Sequence, residues 1–199
     1  MSRDPLGMIM LAAGRSRRFG DEDKRTVHLS NGRPVLESTL ESVRGTVDST
    51  LLVLRPDDLD LIDLLDAHEA VTVVICQDAD LGMGHSLAAG ARQAISQHFR
   101  GVFVMLADMP FVAAETLAAL IRTFDATVAS EGAAIVQPEH DGKPGHPVLF
   151  DRAFFEELTE LTGDEGARSI VSRHRAQLRR LPVDDAGVLA DIDQRSDLR

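Results

Sequence analysis

The stretch MIMLAAGRSRRFGDEDKR, residues 8–25, decides how the rest of the chain is interpreted. Its apolar start is typical of a buried strand, and Ala12, Ala13 and Gly14 then form a small-residue turn that lets a ligand approach the backbone. Basic side chains follow, although the chain carries 21 Lys and Arg against 32 Asp and Glu, a net charge of −11. They are Arg15, Arg17, Arg18, Lys24 and Arg25. Clustered cations in an acidic chain indicate a site for a small anion.

Two interpretations of this loop are open on the residues alone: an ordinary strand-to-helix turn with solvated arginines, or a loop that binds phosphate oxygens. Two common phosphate loops are excluded. The P-loop requires G-x-x-x-x-G-K-[ST], whereas five residues separate Gly14 from Gly20 here and Asp21 follows. The dinucleotide fingerprint G-x-G-x-x-G is also absent.

Composition limits the class of protein. A length of 199 residues with 44% hydrophobic and 27% charged content predicts one domain over residues 1–199 with a substantial core. No apolar run approaches the ~18 residues that span a bilayer, and the N-terminal MSRDPLG lacks the apolar centre of a signal peptide. Cys76, the single cysteine, excludes an internal disulfide. We therefore expect a cytoplasmic protein that binds no membrane, and the net charge argues against nucleic acid.

Hydrophobic patterning predicts strands that alternate with helices. The predicted strands are 7–13, 49–55, 70–76, 101–107, 132–138, 146–150 and 176–184, and the predicted helices are 34–44, 57–69, 85–99, 113–124, 151–161 and 165–174. This alternation predicts a three-layer α/β/α domain with a mostly parallel sheet. Ligands in such sheets bind beyond the carboxyl ends of the strands. The candidate loops are therefore AAGRSRRFG, QDADLGMGH and ADMPF, after the first, third and fourth predicted strands.

Two of these loops carry residues with more than one interpretation. Asp108 ends the fourth predicted strand, where it is either a helix N-cap before Pro110 or a ligand for Mg²⁺. Gly82 and Met83 precede a helix that Ser86 could cap, and a helix start also offers unpaired N–H groups to a ligand. The histidines show no H-E-x-x-H or H-x-H spacing, which makes a zinc site improbable.

The first loop, L-A-A-G-R-S-R-R-F-G…K, resembles the signature L-A-A-G-x-S-x-R-[MF]-G-x-x-K of nucleotidyltransferases built on a Rossmann-like domain. It is most similar to the molybdenum-cofactor cytidylyltransferases. The segments GMGHSL, LADMP, GHPVLF, GDEGAR and the closing DID are similar to that family in the same order, so the resemblance covers nearly the whole chain. It implies a mixed, mostly parallel sheet in a Rossmann-like nucleotidyltransferase domain.

The resemblance implies roles for particular residues. Nucleotide binding would fall to Leu11, Ala12, Ala13, Gly14, Arg18, Lys24, Gly82, Met83 and Ser86. Arg18 and Lys24 would contact the triphosphate and, with Asp108, carry the catalysis. Three residues rather than the usual two separate Gly20 from Lys24, which leaves Arg25 as an alternative phosphate contact.

The same resemblance implies which residues bind the metal, which nucleotide is preferred and which residues form the acceptor pocket. Asp108 and Asp193 would bind Mg²⁺, with Asp191 as an alternative because Gln194 and Arg195 replace the usual Thr-Pro. An Ala rather than a Gly at position 13 favours CTP over GTP, although one methyl group gives only ~1–3 kcal/mol of discrimination. The acceptor pocket would contain His146, Asp164 and Arg168.

The activity implied is transfer of CMP from CTP to the phosphate of molybdopterin, with release of pyrophosphate. Alternatives are transfer from GTP or another NTP, transfer to a sugar or alditol phosphate, and a non-catalytic nucleotide-binding module that delivers the cofactor. A nucleotide-sugar glycosyltransferase is disfavoured, because Asp108-Met109-Pro110 stands where an Asp-x-Asp would be expected. Whether a molybdoenzyme partner docks on the chain is open.

Overall fold

The computed structural model describes residues 4–15, 19, 22–62 and 70–198. Its strands form a single sheet of eight, in the order β3-β2-β1-β4-β7-β5-β6, with β8 paired to the other side of β5. Strands β1 to β4 are parallel, β7 runs antiparallel between β4 and β5, and β8 is parallel to β5. The strands are β1 Leu6–Leu11, β2 Ser49–Leu54, β3 Val71–Ile75, β4 Gly101–Leu106, β5 Ile135–His140, β6 Lys143–Pro144, β7 Val148–Asp151 and β8 Leu178–Pro182.

The helices cover both faces of this sheet. They are α1 Val35–Ser42, α2 Leu59–Ile62, α3 Met83–Ser96, α4 Ala114–Glu131, α5 Phe155–Thr159 and α6 Arg168–Arg173. Side chains alternate along a strand, so Met8 and Met10 of β1 face α1, α2 and α4, whereas Ile9 faces α3, α5 and α6. Both faces are buried, which explains the continuous apolar runs in the central strands. The predicted three-layer architecture with a mostly parallel mixed sheet is confirmed.

Several element boundaries differ from the predictions. The helix predicted at 113–124 continues to Glu131 and ends only where Gly132 adopts a left-handed φ of 87°. The helix predicted at 151–161 was wrong at its start, because Asp151 ends β7 and its side chain accepts a hydrogen bond from the Ala153 N–H in a short 3-10 turn before α5. Of the helix predicted at 57–69, Leu59–Ile62 is observed, and residues 63–69 lie outside the described part of the chain.

Among the described residues, none of the helices combines the length and the apolar character needed to cross a membrane.

Candidate active site

A cleft of about 510 Å³ opens at the carboxyl ends of β1 and β4. These strands are paired in parallel with Leu11 opposite Leu106, so both end at the same level of the sheet. The chain leaving β1 supplies Ala12, Ala13 and Gly14 to the cleft, and the chain leaving β4 supplies Ala107 and Asp108. The remaining lining residues are Leu11, Arg15, Lys24, Arg25, Ala79, Asp80, Leu81, Gly82, Met83, Ser86, Leu106, Asp164, Asp191 and Asp193. The cleft has the size of a small-molecule site.

Asp108 lies at the bottom of this cleft with 8% of its surface exposed. Burial raises the pKa of its carboxyl group, the charge of Asp191 raises it further, and the ammonium group of Lys24 opposes both effects. Its Oδ1 atom is buried and has no hydrogen-bond partner. Asp108 does not cap α4, because Asp185 accepts hydrogen bonds from the Ala113 N–H and the Thr116 hydroxyl there. A buried carboxylate with an unpaired oxygen is therefore available to a ligand.

Lys24 supplies the counter-charge. Its Nζ donates a hydrogen bond to Oδ2 of Asp108 and lies 3.5 Å from Oδ1 of Asp193. The same nitrogen donates to the Ile192 carbonyl at 3.3 Å. The Ile192 N–H in turn donates to the Asp108 carbonyl at 3.0 Å, which holds the closing segment of the chain against the end of β4. One cation thus joins three segments that are distant in sequence.

The donor set suits a hard divalent cation. Within the described part of the chain, no group of three or more His, Cys, Asp or Glu side chains is arranged to hold a metal by itself. Mg²⁺, however, usually takes one or two protein carboxylates and completes its shell with phosphate oxygens and water. The unpaired oxygen of Asp108, with the carboxylates of Asp191 and Asp193 on the same cleft, fits that pattern.

Arg25 has a different environment from its neighbour Lys24. Only 3% of Arg25 is exposed, and its guanidinium pairs with Asp23 and with Asp58, whose oxygens it reaches at 2.7 Å. Burial opposes the charge, but these hydrogen bonds outweigh it and raise the pKa of Arg25. Both candidates for the phosphate contact line the cleft, but Arg25 is engaged by Asp23 and Asp58, whereas Lys24 contacts Asp108.

Arg15 forms an ion pair across the mouth of the cleft. Its Nε donates to Oδ1 of Asp80 at 2.5 Å, and a second guanidinium nitrogen pairs with the other oxygen of that carboxylate. Asp57 lies 3.7 Å away. The hydrogen bonds that Arg15 donates to Asp80 raise the pKa of Arg15, although both side chains are exposed. The pair connects the loop after β1 with the turn after β3.

The opposite wall is built by the start of α3. Gly82 has a φ of 124°, and a Cβ there would lie 2.3 Å from the backbone of Gly163. A Cβ on Gly84 would lie 2.6 Å from the Thr162 carbonyl oxygen. The segment that carries Asp164 is therefore packed directly on the first turn of α3, where Met83 is exposed and Ser86 is buried. Ser86 does not cap α3, because the cap residue is Gly82.

The residues predicted for the acceptor pocket are separated. Asp164 lines the cleft, but Arg168 begins α6, is exposed and does not line it. His146 is partly buried and does not line the cleft, and its Nδ1 atom is buried without a hydrogen-bond partner. Burial lowers the pKa of His146, and the backbone of Val104 and the charges of Asp108 and Asp191 partly offset this effect. Arg18, predicted to contact the triphosphate, lies outside the described residues.

Taken together, a Rossmann-like sheet with cations and carboxylates at the carboxyl ends of its central strands defines the nucleotidyltransferase class. The chain belongs to the MobA-like NTP transferase domain family, whose sequence model matches residues 8–178.

Curated relatives support this membership. The purine catabolism protein PucB of Bacillus subtilis (strain 168) is 30% identical over 192 residues, which cover 93% of this chain and 90% of PucB. The bifunctional protein GlmU of Desulfotalea psychrophila is 26% identical over 143 residues, but the match spans only 42% of GlmU. The names of these relatives differ, so the family is established but the molybdenum-cofactor cytidylyltransferase subfamily is not.

Solved structures agree with the fold. The crystal structure of Rv0371c from Mycobacterium tuberculosis H37Rv is similar with a TM-score of 0.79 and 29% identity, covering 99% of this chain and 96% of that one. A structure of Rv0371c in complex with manganese is similar with a TM-score of 0.73 and 28% identity, covering 97% and 95%. Molybdopterin-guanine dinucleotide biosynthesis protein A from Archaeoglobus fulgidus, at 23% identity and a TM-score of 0.68 over 96% and 94%, shares the fold.

Sequence reasoning missed two parts of this site. It assigned no ion-pair partner to Arg15, and it assigned no role to Arg55 and Asp58. The residues Arg55-Pro-Asp-Asp58 follow the second strand, and that position at the carboxyl end of a parallel strand was a usable signal.

Proposed function

We propose that this chain is a divalent-metal-dependent nucleotidyltransferase that transfers CMP from CTP to the phosphate of molybdopterin and releases pyrophosphate. The observation that carries the proposal is the pairing of Lys24 with the buried Asp108 at the bottom of the cleft. A buried carboxyl group with an unpaired oxygen is costly to keep unless it serves a bound group.

The residues divide the work between binding and charge. Asp108 with Asp193 or Asp191 would hold the metal, Mg²⁺, which when bound neutralises phosphate charge. The ammonium group of Lys24 pairs with the carboxylates of Asp108 and Asp193. A short movement of this flexible side chain would therefore bring its ammonium group to a phosphate oxygen. The acceptor phosphate is itself the nucleophile, so the chain needs only to align the two substrates and to stabilise the charge that develops.

The nucleotide and acceptor assignments rest on the walls of the cleft. Ala13 is nearly buried in the loop after β1, and its methyl group narrows the space for a base, which favours cytosine over guanine. Gly82, Met83 and Ser86 would contact the base and ribose side. Asp164 would face the acceptor, whereas His146 and Arg168 lie outside the lining of the cleft. Arg18 is proposed as a second triphosphate contact.

A second candidate is the same transfer with a different pair of substrates, GTP or another NTP and a sugar or alditol phosphate. It is favoured by the variety of the curated relatives, which include the differently named PucB and GlmU.

The deciding experiment follows pyrophosphate release with Mg²⁺ or Mn²⁺, each of the four NTPs and molybdopterin or a sugar phosphate. Release with CTP and molybdopterin supports the proposal, and release only with GTP contradicts the role of Ala13. No release with any combination contradicts the enzymatic function and leaves the nucleotide-binding delivery module.

Asp108→Asn tests the site within that assay. We expect turnover to fall by about 10²–10³-fold, because one preorganised charge at the reacting phosphate is lost. Asp151→Asn is the matched control: Asp151 is also buried and also has a raised pKa caused by burial, but it pairs with Gly101 at the opposite edge of the sheet. Equal activity of the two variants would remove Asp108 from the reaction.

A further inference from the structure

A buried ionic cluster lies directly beneath the loop after β1. It consists of Asp23, Arg25, Arg55 and Asp58, defined here as the Asp58 cluster. Asp58 is 5% exposed and accepts hydrogen bonds at 2.7 Å from both Arg25 and Arg55. It also accepts the Arg55 N–H at 2.9 Å, which fixes the turn after β2. One carboxylate therefore holds two guanidinium groups side by side.

Both guanidinium groups contact the backbone of the loop. Arg25 Nη1 donates to the Ala12 carbonyl oxygen at 2.5 Å, and Arg55 Nη1 donates to the Ala13 carbonyl oxygen at 3.4 Å. The Ala12 N–H is already engaged by the Val53 carbonyl at 3.1 Å. The path of the chain at this point is thus fixed by side chains from two other segments.

These contacts determine where the next N–H groups point. In a trans peptide the C=O of one residue and the N–H of the following residue point in opposite directions. With the carbonyls of Ala12 and Ala13 held by the arginines, the N–H groups of Ala13 and Gly14 are directed away from the cluster. Both residues line the cleft, and a Cβ added to Gly14 would meet nothing within 4 Å, so space for a ligand adjoins them. Successive N–H groups of this kind form an anion-binding concavity.

We propose that the Asp58 cluster is a positioning device for nucleotide binding: Asp58 orients Arg25 and Arg55, and these hold the Ala12 and Ala13 carbonyls so that the following N–H groups face the nucleoside triphosphate. The inference rests on the proposed function of the cleft. It assigns Arg25 a role that differs from that of Lys24, because Arg25 acts on the substrate through the backbone and not by direct contact.

The energetics of buried ion pairs favour a positioning role for the Asp58 cluster over a role in stabilising the fold alone. Burying an ion cluster rarely stabilises a protein more than apolar side chains of the same size would. A guanidinium, however, presents several donors in a rigid fork, so it can bind a carboxylate and a carbonyl at the same time. The cluster uses that property twice, on consecutive peptides of the nucleotide-binding loop.

The test compares Asp58→Asn with Asp125→Asn. Asp125 pairs with Arg100 at 2.7 Å and is partly buried, but Arg100 directly precedes β4, at the end of the sheet opposite the cleft. Nucleotide affinity is measured by calorimetric titration with Mg²⁺ and each NTP, and KM and kcat are measured by pyrophosphate release. Thermal unfolding is recorded for every variant.

For Asp58→Asn we expect the nucleotide Kd and KM to rise about tenfold or more, with kcat changed less, because the N–H contacts hold the nucleotide in both ground and transition states. Asp125→Asn should leave both constants unchanged even where it lowers the unfolding temperature. An Asp58→Asn protein that is folded and binds nucleotide like Asp125→Asn overturns the inference.

Three further results have a defined meaning for the inference. If Asp58→Asn does not fold, Arg55→Gln removes the contact to the Ala13 carbonyl together with the pairing of Arg55 with Asp57 and Asp58, while Arg25 stays in place. An unchanged nucleotide Kd in that variant overturns the inference. If the wild type binds an NTP without turnover, the proposed function fails while the positioning role is still measured by Kd. If the wild type binds no NTP, both proposals fall together.

Discussion

Lys24 and Arg25 are neighbours in the chain and opposites in their environments. Arg25 is saturated, since its guanidinium donates to two carboxylates and a carbonyl within a nearly sealed site. Lys24 joins a buried carboxylate whose second oxygen has no partner, in an open cleft. The two residues lie on opposite sides of one loop, Arg25 beneath it and Lys24 in front of it.

Arg25 therefore contributes mainly to the stability of the fold, and Lys24 is the residue available for chemistry. A satisfied ion cluster fixes a backbone, and an unsatisfied one is available to a substrate. Replacing each charged side chain in turn is therefore the direct test of this difference between Arg25 and Lys24.

The largest effect is expected for Arg25→Met. It removes one of the two arginine partners of the buried Asp58 and the arginine partner of the partly exposed Asp23, which should lower the free energy of unfolding by about 3–5 kcal/mol. Urea unfolding followed by circular dichroism measures this loss. An unfolding midpoint equal to that of the wild type would contradict the structural role of Arg25.

Lys24→Met should have the opposite profile. We expect turnover to fall by about 10²-fold, because a cation at the proposed phosphate site is lost. The unfolding midpoint should fall less than in Arg25→Met, because burial already raises the pKa of Asp108 and its carboxyl group can take up a proton when Lys24 is removed. Steady-state pyrophosphate release and the same urea titration provide both numbers. Activity that survives Lys24→Met but not Lys24→Arg would show that shape matters there more than charge.

The pH dependence of the free energy of unfolding provides the next test, because it distinguishes the region around Arg25 from that around Lys24. Burial opposes ionisation of Asp58, but hydrogen bonds from Arg25 and Arg55 outweigh it, so the folded-state pKa of Asp58 lies below 3.8. Its stabilisation is therefore complete above the unfolded value of 3.8 and is lost as the pH falls through the folded pKa. Urea midpoints of the wild type should drop on acidification through this range, and those of Asp58→Asn should drop less. Parallel profiles would show that Asp58 is not ion-paired in solution.

The smallest effect is expected for Arg15→Gln. The ion pair with Asp80 is exposed at the cleft mouth, and such pairs contribute little to stability. The unfolding midpoint should not change, whereas nucleotide Kd should rise modestly and lose part of its dependence on salt concentration. A clear drop in the unfolding midpoint would show that the Arg15–Asp80 pair holds the two loops together.

The sequence was sufficient for the fold because each central strand is apolar on both faces and is followed by a helix-period segment. It also brought the loop after β1 and Asp108 to the same edge of the sheet. It was not sufficient to distinguish Lys24 from Arg25, because one extra residue shifts the spacing and only the folded turn at residues 22–27 shows that Lys24 pairs with Asp108 and Arg25 with Asp23 and Asp58. The Asp58 cluster was missed because its partners lie 33 positions apart in the chain.

The contact between Gly82, Gly84 and the segment 162–165 has a consequence for redesign of the cleft. Because neither glycine has room for a Cβ, the backbone that carries Asp164 cannot be shifted without moving the first turn of α3 as well. Loop insertions in this segment would thus also displace Gly82 and Met83, which line the cleft. For the acceptor role proposed for Asp164, side-chain exchanges at that position alter the cleft while its backbone stays unchanged.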